Sequence, residues 1–89
     1  MLIVKVLGPG CRNCQLVEQQ AIAGLEVLLS ENPDLEVTLE HIEDMLEIEQ
    51  YPLLFTPGLV VNEKLVCAGR IPSEQEVIGW LRAALLQQA

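Results

Sequence analysis

Apolar and polar positions divide this chain into seven elements. Leu2-Ile3-Val4-Lys5-Val6-Leu7 is a β-branched apolar run interrupted by one lysine and stopped by Gly8-Pro9-Gly10, the pattern of a strand entering a tight loop. From Cys11 onward, Cys14, Val17, Ala21, Leu25 and Leu28 recur at intervals of three and four, as one buried stripe of a helix does. Pro33 disfavours a helical residue before it, so that helix ends by Asn32. Leu35, Val37 and Leu39 alternate with Glu36, Thr38 and Glu40 and predict a second strand with one apolar face. Ile42, Met45, Leu46 and Glu49 then return at helical spacing, with Glu43 and Asp44 suited to a helix start, and predict a short exposed helix over Ile42 to Gln50. Gly58 to Val61 and Lys64 to Ala68 flank Asn62-Glu63 and read as an antiparallel hairpin. Ser73-Glu74-Gln75-Glu76 is a capping box, and Val77, Leu81 and Ala84 or Leu85 supply the stripe of a last helix.

The order is βαβαββα. Strands one and two are joined through a long helix, so they must be parallel with a right-handed crossover. In such sheets the functional crevice lies beyond the carboxyl ends of the parallel strands, which is where Gly8-Pro9-Gly10-Cys11 falls.

Composition narrows the setting. With 89 residues, 51% of them hydrophobic, the chain suffices for one domain spanning 1–89, and its apolar runs are far shorter than the ~20 residues needed to span a bilayer. The N-terminal run lacks the pattern of a secretory signal, so a cytoplasmic location is expected. Thirteen acids against five bases give a formal charge of −8, with no Lys or Arg between Arg12 and Lys64. Such a surface repels polyanions, and with Tyr51, Phe55 and Trp80 as its only aromatics the chain has no stacking platform for nucleic acid. Three cysteines form an odd count, which points to reactive, metal-bound or buried thiols rather than a stapled secreted scaffold.

Cys11-Arg12-Asn13-Cys14 places a C-x-x-C at the start of a helix directly after a strand. Residues at i and i+3 share a helix face with Cβ atoms ~5 to 6 Å apart, so reversible disulfide closure needs little adjustment. Cys11 falls where unpaired N–H groups and the positive end of the helix dipole favour an anion, and in such settings a thiol pKa drops from ~8.5 to roughly 3.5 to 7.5. Cys14 lies one turn further in.

With these pieces in place, the sequence resembles the small thioredoxin/glutaredoxin-like redox-active disulfide proteins of archaea and bacteria. The resemblance rests on Gly8-Pro9-Gly10-Cys11-Arg12-Asn13-Cys14, Thr56-Pro57 and Ala68-Gly69-Arg70-Ile71-Pro72-Ser73, and covers nearly the whole chain. It implies a thioredoxin-like α/β fold, a central four-stranded mixed sheet with helices on both faces, acting as a thiol-disulfide oxidoreductase. Cys11 is then the attacking thiol and Cys14 the resolving one. Pro57 is the family's cis-proline facing the dithiol, with Thr56, Pro57 and Gly69 as substrate-facing residues. Gly10, Arg12, Lys5 and Arg70 are expected to modulate the dithiol. No bound cofactor or metal is expected. The partners are protein or small-molecule disulfides and a reductase, without nucleic acid or membrane, and the chain is expected to be a monomer. Gly58 stands where the family often has alanine, and Cys67 is a third thiol outside the pattern.

Each candidate also has a plainer reading. Lys5 either stabilises a thiolate or lays its stem along the sheet and reaches water or an acid such as Glu40. Arg12 and Arg70 either rim the dithiol or are solvated. His41 reads as a strand-end surface residue, Trp80 and Tyr51 as core and rim aromatics, and Cys67 as a small buried strand residue rather than a third redox thiol. A structural zinc site needs four ligands, for which Cys11, Cys14, Cys67 and His41 are the available candidates at unsuitable spacing. The alternative from another class is a non-catalytic thioredoxin-fold adaptor whose thiols hold a metal or a partner.

Overall fold

Residues 2–8, 12–52 and 56–87 are described by the computed structural model. The elements follow the anticipated order: β1 (Leu2–Leu7), α1 (Arg12–Glu31), β2 (Val37–Ile42), α2 (Met45–Ile48), β3 (Gly58–Val61), β4 (Lys64–Ala68) and α3 (Glu74–Gln87). They build a four-stranded sheet in the order β2-β1-β3-β4. β1 and β2 are parallel, from Leu2 opposite Val37 to Leu7 opposite Ile42, with α1 as the crossover. β3 runs antiparallel to β1 and β4 antiparallel to β3, with an irregularity between Leu59 and Val60. Asn62 and Glu63 turn the hairpin with φ of 49° and 67°, the left-handed pair that a tight two-residue turn requires.

Alternation along β1 assigns the two sheet faces. Leu2, Val4 and Val6 point to the face covered by Val17, Ala21, Leu25 and Leu28 of α1 and Val77, Leu81 and Ala84 of α3. These apolar helix residues are the stripes anticipated from spacing. Fully burying one such Leu or Val contributes about 1.5–3 kcal/mol. A Cβ on Gly24 would come within 2.7 Å of Val77 Cγ1, so a residue without a side chain is what lets α1 and α3 approach this closely. On the opposite face Leu7 and Val60 meet Ile48 of α2, with Ile42, Tyr51 and Leu65 packed around them. The capping box also forms: Ser73 Oγ accepts from the Glu76 N–H at 3.2 Å, and Glu76 Oε1 accepts from the Ser73 N–H at 3.1 Å.

Two boundaries differ from those read in sequence. β2 begins at Val37, because the Leu35 N–H is taken by the Asn32 carbonyl at 3.1 Å in the turn that ends α1. The helix expected over Ile42 to Gln50 contracts to Met45–Ile48. Ile42 stays in β2 opposite Leu7, and the Asp44 carboxylate starts the helix by accepting from the Leu46 N–H at 2.9 Å.

Candidate functional site

Ile42, Leu7, Gly58 and Ala68 stand opposite one another across the four strands and form the last row of the sheet. Four segments emerge beyond that row: Glu43 onward after β2, Gly8 after β1, Thr56-Pro57 before β3 and Gly69-Arg70 after β4. Two main-chain hydrogen bonds tie them together, from the Gly8 N–H to the Ile42 carbonyl at 3.0 Å and from the Gly69 N–H to the Pro57 carbonyl at 2.8 Å.

Cys14 sits in the first turn of α1 and is completely buried against this end of the sheet. A Cβ placed on Gly8 would overlap the Cys14 sulfur and lie 3.3 Å from Cys14 Cβ and 3.8 Å from Thr56 Cβ. Gly8, Cys14 and Thr56 therefore converge on one point, and glycine at position 8 leaves the sulfur its space. The Thr56–Pro57 peptide is cis, as the family resemblance implies, with Pro57 buried and Thr56 exposed. Arg12 is exposed at the first position of α1, whose opening turn holds no acid. Cys11, Gly10 and Pro9 lie outside the described residues.

Lys5 is tied down elsewhere. Glu40 is its cross-strand neighbour in β2, but its ammonium donates to Glu63 Oε1 at 2.7 Å and to Tyr51 Oη at 3.3 Å. Tyr51 in turn donates to Glu63 Oε2 at 3.1 Å, closing a triangle that offers the ammonium two acceptors at once. These hydrogen bonds raise the Lys5 pKa and lower that of Glu63, so the pair is charged at neutral pH. The ammonium thus reaches an acid, as the plainer reading of Lys5 has it, and that acid is Glu63 at the hairpin tip instead of Glu40.

Arg70 makes a two-pronged contact with Glu76, at 3.0 and 2.6 Å. The guanidinium, with help from the Ser73 N–H, holds the Glu76 carboxylate down to about 2. Cys67 is buried in the main core, its Sγ 3.7 Å from the Arg70 carbonyl, and burial pushes its thiol pKa up. His41 is less exposed than a surface strand end: its Nδ1 lies 3.8 Å from Glu18 on α1, and its Nε2 is shielded from solvent. Facing α1 from the edge strand is what covers it.

Residues 2–82 match the family model described as Thioredoxin domain. The chain belongs to the thioredoxin family. A thioredoxin of Methanothermobacter thermautotrophicus is 31% identical over 77 residues, covering 86% of this chain and 94% of that protein. A thioredoxin of Methanocaldococcus jannaschii is 25% identical over 85 residues, covering 96% and 92%. The thioredoxin-domain match runs from β1 into α3, so every segment at the last row of the sheet falls within it.

Two features of this thioredoxin-family site were not read from sequence. Gly8 reads in sequence as a strand stop and as part of the motif at the crevice, whereas its close approach to the Cys14 sulfur is visible only in the fold. Tyr51 and Glu63, 46 and 58 residues from Lys5, left no local signal of their contact with it.

Proposed function

We propose that this thioredoxin-family protein exchanges disulfides through Cys11 and Cys14. The Cys11 thiolate attacks one sulfur of a substrate disulfide; that bond breaks, a mixed disulfide forms and the first substrate thiolate leaves. Cys14, as thiolate, then attacks the Cys11 sulfur and releases the second substrate thiol. The substrate has gained two electrons, and the protein has lost two as a Cys11–Cys14 disulfide. A buried sulfur suits the second role, because a resolving thiol need reach only its neighbour. The observation that carries this reading is the convergence of Cys14, Gly8 and Thr56 at the end of the parallel strands.

Thr56 is exposed beside this point, and no hydrogen bond among the described residues involves its backbone, so an extended substrate chain has polar groups to pair with there. The Gly69 amide donates to the Pro57 carbonyl, which holds Gly69 beside the Thr56-Pro57 segment on the substrate-facing side. Arg12 is available to stabilise a thiolate, whereas Lys5 and Arg70 act through the carboxylates that hold them. No bound cofactor takes part. Electrons return from a reductase or a small thiol, and a monomer working in the reducing cytoplasm fits this cycle. Among the described residues no helix is long and apolar enough to cross a membrane.

Trapping tests the assignment. Cys14→Ser should accumulate a stable mixed disulfide through Cys11, and Cys11→Ser almost none, read by mass spectrometry after incubation with a disulfide substrate. Equal trapping by both variants removes the assigned roles, and trapping by neither favours an adaptor without exchange activity.

A further inference from the structure

Among the described residues the large apolar side chains most open to solvent are Ile22, Met45, Leu46, Ile71 and Leu86. Three of them, Met45, Leu46 and Ile71, follow the ends of β2 and β4 at the last row of the sheet, the end that carries Cys14 and Thr56. The strongest pair is Met45 and Leu46, 53% and 73% exposed. Their exposure is built in. Ile48 anchors α2 beneath them at 3% exposure, and the Asp44 carboxylate fixes the Leu46 N–H, so the pair stands as a held shoulder at the end of the sheet that also carries the crevice.

Charge identifies what fits there. Glu40, Glu43, Asp44, Glu47 and Glu49 are exposed in the same stretch of chain, from the end of β2 through α2. Lys5, which shares a polar recess with Glu47 and Gln50, is already engaged by Glu63 and Tyr51. Arg70 is paired with Glu76, which among the described residues leaves Arg12 as the unpaired cation at this end of the sheet. An apolar contact in an acidic stretch of chain is complementary to an apolar residue flanked by lysine or arginine, and it disfavours acidic polypeptides by like-charge repulsion.

We propose that the Met45-Leu46 shoulder docks the polypeptide bearing the substrate disulfide, and that the favoured substrates carry basic and apolar residues beside their cystine. This rests on the exchange reading above. The test uses two cystine-containing peptides with a common leucine that differ only in having Lys or Glu flanking the disulfide. The basic peptide should be reduced with a kcat/KM about tenfold higher at low salt, and the preference should collapse at about 0.5 M salt, where exposed charges are screened. Glu43→Lys combined with Glu49→Lys should abolish the preference, and Leu46→Ser should raise KM for the basic peptide severalfold. Equal rates, a preference for the acidic peptide, or a preference that survives charge reversal overturns the proposal. Calorimetric titration of the same peptides with serine for cysteine reads docking without chemistry, and hydroxyethyl disulfide reads chemistry without docking. Inert hydroxyethyl disulfide defeats the exchange reading alone, while equal binding of the two serine peptides defeats the docking surface alone.

Discussion

Cys14 and Cys67 are both buried, at 0% and 7% exposure, and each belongs to a segment at the same end of the sheet. Cys14 lies in the opening turn of a helix, against a glycine that gives its sulfur room and next to an exposed threonine. Cys67 is enclosed in the apolar core with Leu59, Val61 and Val77, and its thiol faces the Arg70 carbonyl. Burial alone therefore does not distinguish the sulfur proposed to resolve a mixed disulfide from one that packs in the core. What the structure shows to differ is the surroundings: Cys14 lies in the first turn of α1 against Gly8, whereas an apolar core with a carbonyl oxygen around Cys67 favours the protonated thiol. The raised pKa of Cys67 is that second condition.

Gly8→Ala attacks the comparison where the expected effect is largest. The new methyl group would collide with the Cys14 sulfur, and the buried turn around it has little room to give. Overpacking of this kind costs about 1–3 kcal/mol of stability. Displacing a reacting atom by about 1 Å can lower rate about a hundredfold, and disulfide exchange should fall by that order. Stopped-flow reduction of a disulfide substrate beside a urea unfolding curve measures both. A variant that folds and exchanges at the wild-type rate would disconnect Gly8 from the site.

Cys67→Ala should give the converse result, a folding defect with little change in chemistry. Trimming a buried sulfur leaves a small cavity, at a cost of about 1 kcal/mol. Exchange should stay within tenfold of wild type, about 1.4 kcal/mol of barrier. A larger loss would make Cys67 a third working thiol and erase the contrast with Cys14.

The contrast was half legible in the sequence. The stripe Cys14, Val17, Ala21, Leu25 and Leu28 has a helical period, and the hairpin is marked by two β-rich runs flanking Asn62-Glu63, so both appear as read. Periodicity reports which face is buried and is silent about what covers it. The Lys5 partners, the His41 contact with Glu18 and the closeness of Gly8 to Cys14 depend on strand order and helix placement, which local spacing does not encode. The short helix was overextended because Ile42 satisfies a helical spacing as well as the last rung of β2, and a hydrogen bond to the Gly8 amide decides for the strand.

The smallest expected effects are in the pH dependence of stability, and they separate the surroundings of Cys67 into an acid and an alkaline part. The Glu76 carboxylate, which holds Arg70 and with it the loop whose carbonyl faces Cys67, titrates at about 2 instead of its ordinary 4.5. Below pH 4.5 the unfolded chain takes up a proton that the folded protein still refuses, so this contribution is intact above 4.5 and fades as pH falls toward 2. The Cys67 thiol is shifted the other way: above its ordinary value of 9.0 the unfolded chain releases a proton that the folded protein keeps, and stability declines as pH rises. Urea midpoints for wild type, Glu76→Gln and Cys67→Ala across this range should separate the two components. Glu76→Gln should make the acid limb shallower, Glu63 keeping its share through Lys5, and should weaken the alkaline limb slightly, because the Glu76 carboxylate is a minor contributor to the raised Cys67 pKa. Cys67→Ala should flatten only the alkaline limb. If Cys67→Ala left that limb as steep as before, the core would not be holding the thiol protonated, and the physical distinction drawn between Cys67 and Cys14 would fail.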